Sequence, residues 1–144
     1  MKILIIGGTG FIGSHLVKQF AAMNYKVLSL SRSCNSDTTK KYLGVDYIEG
    51  DLSDKNLLFK ITLDVDVIVH CGSSHTPLNP DKKGQDENNS ENLVESFFYN
   101  KVKKFVYFSS GGAIYGNNSL IPFKESAIPN PLSIYGKSKL KIEN

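Results

Sequence analysis

The hydrophobic positions of this chain form short apolar runs that alternate with longer amphipathic stretches. The short runs are rich in β-branched and aromatic residues, which is typical of buried strands. They predict five strands, over Lys2–Ile6, Lys26–Ser31, Val45–Glu49, Val65–Cys71 and Lys104–Phe108. The amphipathic stretches predict four helices, over Phe11–Met23, Lys55–Leu63, Asp86–Asn100 and from Ser133 onward.

This alternation of strands and helices indicates a parallel sheet with right-handed crossovers. We therefore predict an α/β fold with a doubly wound sheet, five parallel strands in the order 3-2-1-4-5, and helices on both faces. The glycine- and proline-containing stretches Ser73–Gly84 and Gly111–Pro131 are predicted to be irregular. The residues expected on the inner face of the third helix are Leu93, Val94, Phe97 and Phe98.

The composition favours a single globular domain over residues 1–144, since 144 residues with 40% hydrophobic content can bury a core. A net charge of +3 is too small to indicate nucleic-acid binding. No apolar run approaches the roughly 20 residues of a membrane-spanning helix. Cys34 and Cys71 are too few for a disulfide scaffold, so we expect a cytoplasmic protein.

The most informative motif is the glycine-rich segment GGTGFIG, which follows the first strand and opens the first helix. Its glycines recur at every third residue, a variant of the dinucleotide-binding fingerprint. Gly7 would permit the tight turn, Gly10 the close approach of a pyrophosphate, and Gly13 close packing of the helix on the sheet. The N–H groups at the helix start, around Phe11 and Ile12, would hold the anion. The alternative is a strand–helix turn that binds nothing.

The second strand ends in Ser31-Arg32-Ser33, at the position where a dinucleotide fold contacts the adenosine ribose. An acidic residue there would bind the 2′-hydroxyl of NAD. Ser31 removes the carboxylate that would repel a 2′-phosphate, and Arg32 can bind that phosphate. We therefore expect NADP or NAD as the cofactor, with NADP slightly favoured. The alternative is that Arg32 is solvated and NAD binds.

Two more strand ends supply candidate cofactor contacts. Asp51 would accept a hydrogen bond from the adenine amino group, with Leu52 beside the ring, unless Asp51 serves only the start of the next helix. Cys71 and Gly72 end the fourth strand at the carboxyl edge of the sheet, where open α/β sheets bind ligands. Both are small enough for a cofactor to pass close by. The alternative for this pair is a packed strand end without a ligand contact.

The segment Tyr135-Gly136-Lys137-Ser138-Lys139 places a tyrosine and a lysine four residues apart. On a helix, that spacing puts both side chains on one face. An ammonium group beside a phenol favours the phenolate, so Tyr135 could take a proton from a substrate hydroxyl while hydride leaves for a nicotinamide. On its own, this spacing is also found in pairs of unrelated surface residues.

Metal and nucleic-acid sites are not expected. His15, His70 and His75 do not have the spacing of metal ligands, and no Cys/His group does. The lysines near the end of the chain and around residue 103 are interpreted as solvated residues or cofactor contacts, because no aromatic residues interleave with them.

The chain resembles the extended short-chain dehydrogenase/reductase family, of the nucleotide-sugar epimerase/dehydratase type. The resemblance covers the whole chain, in order. Its motifs are the glycine-rich segment, Gly50-Asp51-Leu52, Asp66-Val67-Ile68-Val69-His70, the run from Val102 to Ser110, Ala113-Ile114-Tyr115-Gly116 and the Tyr135–Lys139 segment.

The resemblance implies a Rossmann-like half that binds NAD or NADP, in a protein whose substrate is a nucleotide sugar. It implies that Tyr135 is the catalytic acid/base and that Lys139 holds the nicotinamide ribose and tunes Tyr135. Asn89 matches the family's helix asparagine near the active site. The fold, activity and cofactor that the resemblance implies are expectations for this chain.

This chain departs from the family pattern in three ways. The family's catalytic serine or threonine, four residues before the tyrosine matching Tyr115, is here Gly111, and the adjacent Ser110 is our candidate for the hydroxyl. Ser31 replaces the aspartate of NAD-using members. The family is roughly twice as long, so the C-terminal substrate domain is expected to be absent.

These departures leave three hypotheses for function. The first is the cofactor half of an epimerase-type enzyme, the second a non-catalytic NAD(P)-binding module, and the third a truncated product without complete activity. We expect the chain by itself to turn over poorly. We also expect the helix from Ser133 to Asn144 either to pair with a second copy, giving a homodimer, or to fray.

Overall fold

The computed structural model describes residues 1–34, 41–73, 85–117 and 122–144. Within these ranges the strands form one parallel five-stranded sheet in the order β3-β2-β1-β4-β5, which confirms the predicted fold class and strand order. In the register, Ile5 of β1 lies between Ser29 of β2 and Val69 of β4. The strands are β1 (Lys2–Ile6), β2 (Lys26–Ser31), β3 (Val45–Glu49), β4 (Val67–His70) and β5 (Lys104–Tyr107).

The helices are α1 (Phe11–Ala22), α2 (Lys55–Ile61), α3 (Gln85–Tyr99), α4 (Gly111–Ile114) and α5 (Ile134–Glu143). None of the helices within the described ranges is long and apolar enough to cross a membrane.

The sheet is covered on both faces because side chains alternate along each strand. On one face Leu4, Ile6 and Ile68 pack with Leu58 of α2 and Leu93 of α3. On the other face Ile3, Ile5 and Val69 pack with Val17 of α1. Burial of these aliphatic side chains is the main stabilising contribution, since each contributes on the order of 1.5–3 kcal/mol when removed from water.

Three helices, α1, α2 and α3, end one or two residues earlier than predicted because the chain turns sharply after each of them, and after α3 the left-handed residue is Lys101, with φ 53°. Asn24 adopts φ 59° just after α1, and Asp64 adopts φ 60° after α2. A helix cannot continue through a left-handed residue. At the end of α2 the Thr62 hydroxyl donates to the Leu58 carbonyl, which satisfies one of the last helical acceptors. The prediction that α2 reaches Leu63 was therefore wrong by two residues.

The inner face of α3 was predicted only in part. Leu93 is fully buried and Phe97 packs against the core, as expected. Val94 and Phe98, however, are 37% and 71% exposed. Adjacent apolar residues cannot both face the sheet on a helix, since neighbours differ by about 100° in direction. Small polar residues, Ser90 and Ser96, fill the inner positions instead.

The stretch predicted to be irregular over Gly111–Pro131 contains the short helix α4. The Ser110 carbonyl accepts hydrogen bonds from the N–H groups of Ala113 and Ile114, at 2.9 and 3.0 Å. The two glycines are poor helix formers in water, so composition alone did not predict this turn of helix. The predicted loop over Ser73–Gly84 lies outside the described residues, apart from Ser73.

The chain divides into two compact units. The first comprises Met1–Ser73 and Asn89–Phe108 and contains the whole sheet. The second comprises Ser74–Asn88 and Ser109–Asn144. In the second unit α4 packs against α5, and the Asn130 N–H donates to the Ile114 carbonyl at 2.9 Å.

Candidate functional site

The glycine-rich loop, defined here as residues 7–13, is a close-packed turn between β1 and α1. Gly7 adopts φ 79°, and its N–H donates to the Leu30 carbonyl at 2.8 Å. A Cβ on Gly7 would lie 2.8 Å from the Gly72 Cα, and a Cβ on Gly13 would collide with the Gly7 carbonyl oxygen. The loop therefore requires glycine at positions 7 and 13 for its own geometry, whether or not a ligand is bound.

The N-terminus of α1 is open to an anion. Gly10 is the N-cap residue, no side chain caps it, and the first turn contains no acidic residue. The first N–H groups of a helix have no partner within the helix and carry the positive end of its dipole. Phe11, at the first helical position, is 85% exposed. The backbone at Phe11 and Ile12 can therefore donate to a phosphate.

The end of β2 contacts two of the loops around this helix start. Ser31 is buried, and its Oγ accepts a hydrogen bond from the Thr9 N–H at 3.1 Å. Its carbonyl accepts from the Gly50 N–H at 3.0 Å. Arg32 and Ser33 follow and are exposed. The guanidinium of Arg32 is thus accessible to an anionic group beyond the strand end.

Cys34, which follows this exposed pair, is fixed to β3. Its N–H donates to the Glu49 carboxylate and its thiol to the Ile48 carbonyl, both at 3.3 Å. Burial, reinforced by the neighbouring Glu49 charge, raises the pKa of the Cys34 thiol. Cys34 is therefore held as a neutral, packed thiol and not as a nucleophile.

The loop after β3 contains the candidate adenine contacts. The Asp51 Oδ1 accepts from the Ser53 N–H at 2.9 Å, a local turn, whereas the start of α2 is capped by Asp54, whose carboxylate accepts from the Leu57 N–H at 3.0 Å. Capping of α2 is therefore not the role of Asp51. The Leu52 carbonyl accepts from the Asn92 side chain at 3.1 Å, which ties this loop to α3.

The ends of β1 and β4 lie side by side. The Cys71 N–H donates to the Ile6 carbonyl at 3.0 Å, and Gly72 packs against Gly7. Cys71 is half-buried. Asn89 is buried on α3, and it is the first residue of that helix that belongs to the first unit. Its neighbour Ser90 lies 3.3 Å from His70 Nε2, at the end of β4.

The second unit contains the tyrosine–lysine pair on α5. Ser133 caps the helix, because its Oγ accepts from the Gly136 N–H at 3.0 Å. The Lys139 Nζ lies 5.7 Å from the centroid of the Tyr135 ring, within the range of a cation–π contact. Lys139 is only 4% exposed, while Tyr135 is half-buried. The sequence spacing thus places the ammonium group beside the phenol ring.

Close packing of α5 against α4 fixes the position of this pair. A Cβ on Gly136 would collide with the Ala113 carbonyl oxygen and would lie 3.0 Å from the Pro131 Cβ. Glycine between Tyr135 and Lys139 is therefore the residue that lets the two helices meet. Sequence reasoning named this segment for its chemistry and did not recognise the packing role of Gly136.

Ser110 is the N-cap residue of α4, yet its hydroxyl makes no capping hydrogen bond. N-cap serines usually accept from the helix that they begin. The hydroxyl is therefore available for another contact. Gly111 is exposed, and a Cβ added there would meet no atom of the described residues within 4 Å, so the backbone would accept a side chain at that position.

The predicted site residues thus fall into two groups, one in each compact unit. The first unit contains the glycine-rich loop, the strand-end residues and Asn89, and the second contains Ser110, Tyr135 and Lys139. Sequence reasoning missed the Thr9 and Asn92 contacts, because both join residues far apart along the chain.

Both described histidines lie within hydrogen-bond distance of a protein oxygen atom. His15 Nδ1 lies 2.7 Å from the Phe11 carbonyl, and His70 contacts Ser90. His75 lies outside the described residues. Among the residues that the structure describes, no three His, Cys, Asp or Glu side chains come together as a metal site would require.

Comparison with known proteins identifies relatives over nearly the whole chain. The model of the NAD dependent epimerase/dehydratase family matches residues 3–144. A putative UDP-glucose 4-epimerase of Methanocaldococcus jannaschii is 35% identical over 144 residues, covering 95% of this chain and 47% of the relative. The UDP-glucose 4-epimerase of Streptococcus mutans is 28% identical and covers 99% and 45%. The chain spans about half the length of the curated relatives that it matches.

Solved structures with the same fold come from similar proteins. The UDP-glucose 4-epimerase of Thermotoga maritima, determined with UDP-glucose, has a TM-score of 0.87 at 28% identity, covering 99% of this chain and 49% of that one. The UDP-glucose 4-epimerase of Thermus thermophilus, determined with NAD, has the same TM-score, identity and coverage.

Proposed function

Because the chain belongs to the NAD dependent epimerase/dehydratase family, we propose that it is the dinucleotide-binding half of a nucleotide-sugar epimerase or dehydratase. The observation that carries this proposal is the glycine-rich loop. Its glycines pack closely against neighbouring backbone, and the start of the helix that follows has no side-chain cap, so its N–H groups can bind a ligand's phosphates. The relative from Thermus thermophilus, whose structure contains NAD, supports the cofactor class.

The residues of the first unit fit a dinucleotide. The uncapped start of α1, with the N–H groups of Phe11 and Ile12 after Gly10, would hold the pyrophosphate. Asp51 and Leu52 would lie at the adenine. Cys71, Gly72 and Asn89 would line the path toward the nicotinamide, at the carboxyl edge of the sheet where ligands bind in open α/β folds.

The residues of the second unit fit proton transfer. The nicotinamide supplies a hydride acceptor when it is bound. When the hydroxyl-bearing carbon of the sugar gives up its hydride, the phenolate oxygen of Tyr135 would accept the hydroxyl proton, so that the C–O bond becomes a carbonyl. Lys139, whose ammonium lies beside the Tyr135 ring, would favour the phenolate form of Tyr135 that accepts this proton. The resemblance implies that Lys139 would also bind the nicotinamide ribose. The Ser110 hydroxyl, which makes no capping hydrogen bond, would donate to the substrate oxygen.

Cofactor preference is a finer part of the proposal. Ser31 adds no carboxylate at the end of β2, and the exposed Arg32 can pair with a 2′-phosphate, so NADP should bind more tightly than NAD. The neighbours with bound cofactor contain NAD, which supports dinucleotide binding without favouring NADP.

The test is equilibrium titration of the 144-residue chain with NAD and with NADP, using calorimetry. We expect both to bind and NADP to bind more tightly, and Arg32→Asp should reverse the preference, since a carboxylate repels phosphate and accepts from a ribose hydroxyl. Equal affinities, or tighter binding of NAD by the natural chain, would refute the role of Arg32. They would not affect the proposal that the glycine-rich loop binds the dinucleotide. Binding of neither would refute the proposed function.

A second candidate is a dinucleotide-binding module without catalysis, and the glycine at position 111 favours it because the family's hydroxyl is absent there. Formation of reduced nicotinamide on adding a nucleotide sugar, in a protein of the relatives' full length that contains this half, would support the enzyme. Gly111→Ser would restore a hydroxyl at this position, and a Cβ there would meet no atom of the described residues within 4 Å.

A further inference from the structure

We propose that Ser31 is a positioning residue, whose hydroxyl orients the glycine-rich loop and does not read the adenosine ribose. The inference rests on the proposed function, since it concerns how a dinucleotide would be held. Ser31 would then not contact the ligand but would position the loop that does. Arg32 would remain the residue that contacts the adenosine ribose or its 2′-phosphate.

Ser31 is a junction between two loops. Its side chain accepts from the Thr9 N–H at 3.1 Å, in the loop that would hold the pyrophosphate, and its carbonyl accepts from the Gly50 N–H at 3.0 Å, at the start of the loop that would meet the adenine. These contacts span 22 residues in one direction and 19 in the other. One residue therefore sets the spacing between both ends of the adenosine diphosphate site.

Burial separates Ser31 from the residues that follow it. Ser31 is 7% exposed, so little of its side chain can meet a ligand, whereas Arg32 and Ser33 are exposed. The exposed pair is held at its other end by Cys34, whose N–H and thiol contact Glu49 and Ile48 of β3. The chain thus presents two residues between two anchors, and Ser31 is one of the anchors.

This arrangement predicts a specific pattern of binding changes. Loss of the Thr9–Ser31 hydrogen bond should loosen the phosphate loop, which NAD and NADP contact in the same way. Their affinities should therefore fall by the same factor, on the order of three- to ten-fold for one neutral hydrogen bond. A residue that contacted the 2′-group would instead change the ratio of the two affinities.

The experiment compares three variants of the 144-residue chain. Ser31→Ala removes the acceptor, and Ser31→Thr keeps a hydroxyl. Ser29→Ala is the matched control. It lies two residues earlier on the same face of β2, its Oγ packs under Gly8, and it has no hydrogen-bond partner among the described residues. Affinities for NAD and NADP are measured by calorimetry, and hydrogen exchange of the Thr9 amide is followed by NMR without ligand.

We expect Ser31→Ala to lower the affinities for NAD and NADP by the same factor and to speed hydrogen exchange of the Thr9 amide. Ser31→Thr should restore both affinities and slow exchange, and Ser29→Ala should change neither. A changed NADP-to-NAD ratio in Ser31→Ala would overturn the proposal, because Ser31 would then read the ribose. Unchanged affinities together with unchanged Thr9 exchange would also overturn it. If the natural chain binds neither cofactor, the proposed function fails first, and only the ligand-free exchange result bears on the contact.

Discussion

At the scale of single residues, the structure separates side chains that hold the chain together from those available to a ligand. Asp66 is an example of the first kind. Its carboxylate accepts from the Lys2 N–H at 2.8 Å and from the Lys103 ammonium at 2.6 Å, so it joins the starts of β1, β4 and β5. The hydrogen bond from Lys103, followed by that from the Lys2 backbone, lowers the pKa of Asp66.

This pKa shift predicts a pH-dependent contribution to stability. A carboxyl group whose pKa is lower in the folded state stabilises the fold at pH values above its ordinary pKa of 3.8. That contribution is lost as the pH falls through the pKa of the folded state. Asp66→Asn removes the charge and keeps an acceptor for Lys2. We expect the natural chain to be the more stable of the two at neutral pH.

Urea unfolding of both proteins at several pH values measures this difference. The gap should narrow below about pH 4 as Asp66 becomes protonated. Because the Lys103 side chain is 79% exposed, its ion pair should also weaken in high salt. A difference in stability that stays constant down to acidic pH would show that the charge of Asp66 does not stabilise the fold.

At the scale of elements, Gly136 and Gly112 of the second unit play opposite parts. A side chain at Gly136 would push α5 away from α4, because its Cβ would meet the Ala113 carbonyl and Pro131. A Cβ at Gly112, within α4, would meet no atom within 4 Å in the part of the chain that the structure describes. Substitution by alanine should therefore lower the stability of the fold at position 136 but not at position 112.

We expect Gly136→Ala to destabilise the chain by about 1–3 kcal/mol, as overpacking does. Gly112→Ala should be neutral or stabilising by up to about 1 kcal/mol, because alanine is the better helix former. Thermal unfolding followed by circular dichroism compares the two. Equal effects would show that the contact between α4 and α5 does not depend on Gly136.

The elements also show what the sequence can reveal. β1, β2 and β3 were predicted at their observed bounds. β1 and β2 are short apolar runs that are buried almost throughout, whereas β3 is an edge strand that alternates half-buried and exposed residues and was recognised by its β-branched and aromatic residues. The α4 turn was missed because two glycines carry no helical signal. The Thr9–Ser31 contact could not be predicted from local pattern, since it depends on how the sheet brings two loops together.

At the scale of the whole molecule, the fold follows from the alternation of strands and helices, and the candidate site follows from where the strands end. Parallel strands bring Ser31 and Cys71 to the same edge of the sheet as the glycine-rich loop. The candidate residues of the first unit could thus be named from sequence order. The chemistry of Ser110, Tyr135 and Lys139 rests on the resemblance and on their geometry within the second unit.

We propose that the glycine-rich loop binds a dinucleotide through its backbone N–H groups. The most direct measurement is an NMR titration of the 144-residue chain with NADP and NAD, following the backbone amides. We expect the largest chemical-shift changes at the amides of Gly10, Phe11 and Ile12. Smaller changes are expected at Arg32, and these should be larger with NADP than with NAD. Saturable binding that leaves these amides unshifted, or shifts confined to the opposite edge around Lys103, would contradict this proposal.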